Sequence, residues 1–201
     1  MDTRTLLRQH GVALRAMLVF TVLLGVAYTA VVTGIGQLAL GGRADGSPVV
    51  VGGETVGSSL IGQSFSDADG AALPEWFQPR PSAAGDGWDA SASSGSNLGP
   101  ENDDLVAAVE ERRAAIAESD GVAPEDVPVD ALTASASGLD PHISPEYARI
   151  QVERVAAARD LPVADVEALV AEHTQGRDLG YLGELTVNVL ELNAALAETA
   201  R

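Results

Sequence analysis

The chain of 201 residues contains no cysteine, no lysine and only three histidines. Without Cys there are no disulfides, no thiolate metal sites and no cysteine nucleophile, and the redox compartment stays open. Without Lys there is no phosphate-binding G-x-x-x-x-G-K-[ST] loop. His10, His142 and His173 lack the paired helical spacing of a zinc site. Basic residues are scarce too: 12 Arg stand against 29 acids, for a net charge of −17. That balance excludes a nucleic-acid surface, because phosphate contacts need clustered basic side chains.

An acidic surface has other uses. Disorder is a poor fit to a chain that is 46% apolar with Val and Leu in periodic runs. The acids are scattered, so metal buffering is a poor fit as well. At molar salt the screening length shrinks to ~3 Å, and an acidic surface then keeps a protein soluble at little cost in self-repulsion. The composition is read as that of a salt-adapted, halophilic source.

A second long apolar run is also missing, and this gives weight to the one that is present. From Ala16 to Leu40 the stretch "AMLVFTVLLGVAYTAVVTGIGQLAL" holds no charge. As a helix rising ~1.5 Å per residue it covers a hydrocarbon core of ~30 Å. A cleaved signal peptide has an apolar core of only about 7–15 residues. This run continues past the small residues Ala27 and Ala30, so an uncleaved anchor is expected. Arg4, Arg8 and Arg15 precede it with only Asp2 opposing them, which keeps the N-terminus cytoplasmic under the positive-inside rule. The organisation expected is a cytoplasmic segment 1–15, a transmembrane helix 16–40, a tether 41–48 and an extracellular domain 49–201. Gly25, Ala27, Ala30, Gly34 and Gly36 along the span permit close packing on another membrane helix.

In the external domain, short strands are expected at 49–51 and 60–65, separated by Gly turns. Residues 74–103 are too rich in Pro, Gly, Ser and Asn for helix. They are also too aromatic, at Trp76, Phe77 and Trp88, for a passive linker, so they read as a long ordered loop. A helix is expected over 102–119, with Asp103 and Asp104 in its first turn, where the macrodipole favours acids. Then come a strand over 127–135, a second helix starting at Pro145, a third over 162–175, and a closing segment 185–196 that starts extended and ends helical. The fold class is a single transmembrane α-helix plus a compact external α/β domain with a small sheet.

The stretch "SASGLDPHISPE" (135–146) brings Asp140, His142 and Ser144 to alternate positions. Each has a structural role: Ser144 caps a helix whose first residue is Pro145, Glu146 adds an acid to its first turn, and Pro141 holds Asp140 extended. Gly138 suits a left-handed turn. A serine triad would need a Ser freed for attack by a converging His, and "GSNLG" at 95–99 lacks the G-x-S-x-G spacing. No enzyme is found by this route. A membrane-anchored hydrolase using Asp140, His142 and Ser144, or a solute-binding module with "WFQPRPSAAGDGW" as its ligand loop, remain as alternatives.

With "IGQSF", "WFQPRPSA", "SSGSNLGP", "TASASGLDPHISP", "QVERVAAAR", "LVAEHTQGR" and "LGYLGELTVNVLELNAAL" in this order, the sequence resembles the C subunit of the Kdp potassium-transporting P-type ATPase. It departs at Trp88, where the pattern has Tyr, and in its Lys-free acidic surface. The resemblance implies a non-catalytic subunit that assembles with a channel-like A subunit, an ATP-hydrolysing B subunit and in some cases a small F peptide. It also implies a catalytic chaperone that raises ATP affinity, with ATP and potassium handled by the complex and no cofactor bound directly here. Interface or structural candidates on the matching motifs are Gln63, Phe77, Gln78, Arg80, Pro81 and Ser82. To these are added Ser96, Asn97, Asp140, His142, Ser144, Asn188 and Asn193. Arg80, with its planar fork, is the first docking candidate.

Overall fold

A computed structural model describes residues 2–199, in two compact units divided between Ser47 and Pro48. The first unit is one continuous helix, α1, Thr3–Ala39. Asp2 caps it, accepting from the Arg4 amide at 3.4 Å. Its middle, Thr21–Tyr28, is wound as π-helix. There the Thr29 hydroxyl donates to the Leu24 carbonyl five residues back, at 3.5 Å. The helix thus begins well before the uncharged run and carries the three N-terminal arginines with it. Of the residues expected as a tether, Gly41–Ala44 form a helical turn, and the Gln37 side-chain amide donates to Asp45 at 2.9 Å.

The second unit opens with an antiparallel hairpin, β1 Pro48–Val51 and β2 Glu54–Ser58, with Pro48 opposite Ser58. The second strand expected at 60–65 does not form. Gly52 and Gly53 both take positive φ, so the chain turns back at once and the partner strand starts at Glu54. After an irregular stretch come helices α2 Asp103–Asp120 and α3 Val129–Leu132. The strand expected over 127–135 is therefore corrected to a helical turn. Pro128, with φ −66, sits at its N-cap and Asp130 lies in its first turn, and both favour helix over strand.

Strand β3 His142–Ile143 leads into helix α4 Pro145–Arg159, followed by α5 Val163–Glu172, β4 Thr174–Gln175, β5 Thr186–Asn188 and α6 Val189–Thr199. The third helix expected over 162–175 ends at Glu172, and its last two expected residues are β4. The three strands form an antiparallel sheet in the order β3-β5-β4, with His142 opposite Asn188 and Thr174 opposite Val187. Helix α4 packs on α5, and α6 packs on both α5 and the hairpin. Between these layers lie Phe77, Leu132, Ile143, Val155, Val166, Val187, Leu192 and Leu196. Phe77 comes from the irregular stretch, so the loop is part of the core.

Candidate functional site

The loop that carries Phe77 is held by side-chain amides on two helices. Asn193 on α6 accepts from the Phe77 amide at 3.0 Å and donates to the Phe77 carbonyl at 2.9 Å. Gln151 on α4 repeats the pattern one residue on: it accepts from the Gln78 amide at 2.6 Å and donates to the Gln78 carbonyl at 3.2 Å. Both side chains are fully buried, and they supply to an irregular segment the partners a strand would find in a sheet. The Gln78 side chain donates in turn to the carbonyls of Phe65, Leu73 and Trp76. Phe77, Gln78 and Asn193 are thus one unit.

Arg80 leaves the same segment and donates to Asp140 at 3.1 Å, with a longer bond to the Thr133 carbonyl at 3.4 Å. Its Nε is buried with no partner. The other carboxylate oxygen of Asp140 accepts from the His142 amide at 3.0 Å and lies 3.3 Å from its Nδ1. Partial burial works against the charged Asp140 carboxylate. The His142 ring and amide and the Arg80 guanidinium outweigh that penalty, and the pKa falls below the usual carboxylate value.

Ser144 is fully engaged. Its hydroxyl accepts from the Tyr147 amide at 3.0 Å, as an N-cap does, and donates to Asp130 at 2.9 Å. The other Asp130 oxygen accepts from the Ser144 amide at 2.7 Å. The arrangement that the hydrolase alternative would need is not formed: the serine hydroxyl is spent on a carboxylate and a helix start, and the His142 ring lies on Asp140. An open cavity of about 520 Å³ borders Arg80, Asp130, Asp140, His142, Ser144 and Glu184.

The turn that feeds this motif is closely packed. Gly138 has φ 67, and a Cβ there would lie 2.6 Å from the Ser94 carbonyl and 2.7 Å from the Ala84 amide nitrogen. Ser82 fixes the same turn by donating to the Gly138 carbonyl at 2.6 Å while accepting from the amides of Ala84 and Trp88. Pro81 joins in through its carbonyl, which accepts from the Ser135 amide at 3.3 Å. Gln63 donates weakly to the Val56 carbonyl at 3.4 Å. Asn188 ties the hairpin to the sheet, donating to the Ser59 carbonyl at 2.7 Å and capping α6 through the Glu191 amide at 3.1 Å. Ser96 and Asn97 stand apart from these networks, exposed on the loop.

Four groups were not singled out from sequence. Arg154 on α4 donates to Asp120 at 2.6 Å, to the carbonyls of Pro74 and Trp76, and to Gln151. This ion pair is buried, with side-chain exposures of 11% and 3%. Burial raises the Asp120 pKa despite the hydrogen bond and charge of Arg154. Arg159 donates to the Glu75 carbonyl at 2.7 Å and lies 4.0 Å over the Trp76 ring. Gln151 is the third and Asp130 the fourth. The "QVERVAAAR" string contains three of the four groups' helical residues, but nothing in it tells which carbonyls they reach. A turn at 178–182 also leaves Leu179 82% and Tyr181 69% exposed, with Leu182 and Leu185 exposed beside them.

Comparison with known proteins bears on this arrangement. The profile described as "KdpC: K+-transporting ATPase, c chain" matches residues 10–198. A "Potassium-transporting ATPase KdpC subunit" of Kineococcus radiotolerans is 61% identical, over 97% of this chain and 96% of that one. Proteins of the same name from Beijerinckia indica and Mycobacterium tuberculosis are 52% and 51% identical, covering 90% and 94% of this chain and 89% and 97% of theirs. The chain belongs to the KdpC family of K+-transporting ATPase c chains.

Proposed function

We propose that this chain is the non-catalytic accessory subunit of an ATP-driven potassium uptake complex. It assembles with and stabilises a channel-like A subunit and an ATP-hydrolysing B subunit, with a small F subunit as a further partner. The helix α1 anchors it in the cell membrane with the N-terminus cytoplasmic and residues 49–201 outside. In that orientation ATP lies across the membrane from the domain, so a catalytic-chaperone effect on ATP affinity is transmitted by conformational coupling. The acidic surface belongs to salt tolerance.

The observation that carries this reading is the double amide clamp of Asn193 and Gln151 on the Phe77–Gln78 backbone. The polar motif residues turn inward to fix a loop, while Ser144 and His142 are committed to internal partners. A rigid loop with exposed polar residues suits an interface. Affinity purification of the tagged chain from native membranes tests it. Recovery of a potassium-stimulated ATPase supports the proposal, and recovery of the chain alone overturns it.

A further inference from the structure

The cationic residues at the start of α1 form a pattern that orientation alone does not require. Arg4, Arg8 and Arg15 stand at i, i+4 and i+11 of one unbroken helix. At ~100° per residue these positions fall within an arc of about 40°, so the three guanidinium groups share one face. Leu6, Ala13 and Met17 occupy the opposite face. Among the described residues none of the three arginines forms an ion pair, and all are exposed. The one nearby acid, Asp2, spends its carboxylate on the helix N-terminus. Beyond Arg15 the chain carries 28 acids against nine arginines, so this stripe is a cationic surface on an otherwise anionic protein.

Its position says what can cover it. The helix has 37 residues, about 55 Å in length against a hydrocarbon core of ~30 Å, so its first turns emerge among the headgroups. Arg15 stands at the edge of the uncharged run, with Arg8 about two turns beyond it and Arg4 one further turn out. Long guanidinium side chains at this spacing can converge on a phosphate from either side, with the planar fork bonding two of its oxygens.

We propose that this arginine stripe binds the phosphodiester headgroups of anionic phospholipid. The proposal rests on α1 lying in the membrane, and holds whichever side the N-terminus faces. Charge complementarity and the continuity of the helix with the spanning run select lipid as the occupant.

The test is native mass spectrometry of the full-length chain in detergent with equimolar phosphatidylglycerol and phosphatidylcholine. The wild type should retain phosphatidylglycerol in preference. Arg8→Gln should reduce that preference about fivefold, and Arg4→Gln/Arg8→Gln/Arg15→Gln about a hundredfold. The double change Arg8→Gln/Gln9→Arg keeps the charge but moves one guanidinium off the face, and should behave like Arg8→Gln alone. A wild-type chain without preference overturns the proposal, as does a double change that keeps the full preference. It is also overturned if the triple change leaves lipid retention intact while the variant is lost from complex purified in parallel from membranes, because the occupant is then an acidic protein surface.

Discussion

Asn193 brackets the peptide groups of Phe77 across 116 positions of sequence, accepting from the amide at 3.0 Å and donating to the carbonyl at 2.9 Å. An irregular loop buried in a core must satisfy its backbone somewhere, and here a side-chain amide does what a neighbouring strand would. Truncation leaves two buried main-chain groups without partners. Asn193→Ala is expected to cost about 2–6 kcal/mol, since each of the two orphaned groups costs ~1–3 kcal/mol. Urea unfolding of the domain checks this. Asn193→Asp should recover none of the loss, because it keeps the acceptor but sets a buried carboxylate against the Phe77 carbonyl.

The Asp130–Ser144 pair makes a second prediction. Ser144→Ala removes an N-cap and should cost ~0.5–2 kcal/mol. Asp130→Ala removes the partner of both the Ser144 hydroxyl and its amide. A double-mutant cycle should give a coupling energy of about 0.5–3 kcal/mol, the range for residues in one hydrogen-bond network. Purely additive effects would show that the two groups do not act together.

Acid titration separates two carboxylates of opposite behaviour. Asp140 has a lowered pKa in the folded state, so its contribution is present above the ordinary carboxylate value and is lost as pH falls through the folded pKa. Asp120 has a raised pKa, so the folded state takes up its proton first and stability declines as pH rises from the unfolded value to the folded one. Asp140→Asn should therefore lower the urea midpoint at pH 7 and shrink the loss between pH 7 and pH 3. An unchanged pH dependence would show that the Arg80–Asp140–His142 cluster contributes nothing to acid stability.

How much of this was legible in the sequence depends on how far apart the partners lie. The Ser144 cap, the Pro145 helix start and the left-handed Gly138 are local matters, and the spacing of "GLDPHISP" specifies them. Asp140 accepting from the His142 amide is local too. The strand expected at 60–65 forms instead at Glu54–Ser58, because two adjacent glycines reverse the chain sooner than the apolar residues of "LIGQSF" suggest. Partners such as Asn193 with Phe77, Gln151 with Gln78, and Arg154 with Asp120 lie 34 to 116 positions apart. No spacing rule links them, and only the fold brings them together.

Arg80 and the exposed residues should separate folding from docking. Arg80 already spends a guanidinium nitrogen on Asp140, so Arg80→Ala should lower both domain stability and retention of the subunit in the complex. Ser96→Trp and Tyr181→Ser lie on exposed surface, where substitutions change stability by no more than about 0.5 kcal/mol. If these surfaces dock, retention during purification falls while the urea midpoint stays put. Full retention of both variants would leave attachment to α1.

Orientation has its own check. Ser94→Cys, on the exposed loop of a chain with no native cysteine, should react with a membrane-impermeant thiol reagent in intact cells. Labelling only after lysis would place the domain inside and bring it within reach of ATP.

The central claim is that the Asp140–His142–Ser144 motif works by holding structure and performs no chemistry. The most direct measurement is potassium-stimulated ATP hydrolysis by purified complex carrying Ser144→Ala or His142→Ala, divided by the amount of assembled complex. The account predicts activity per assembled complex equal to wild type, with any loss appearing in the yield of complex. Normal yield with activity abolished would contradict it, and would assign these side chains a direct part in turnover.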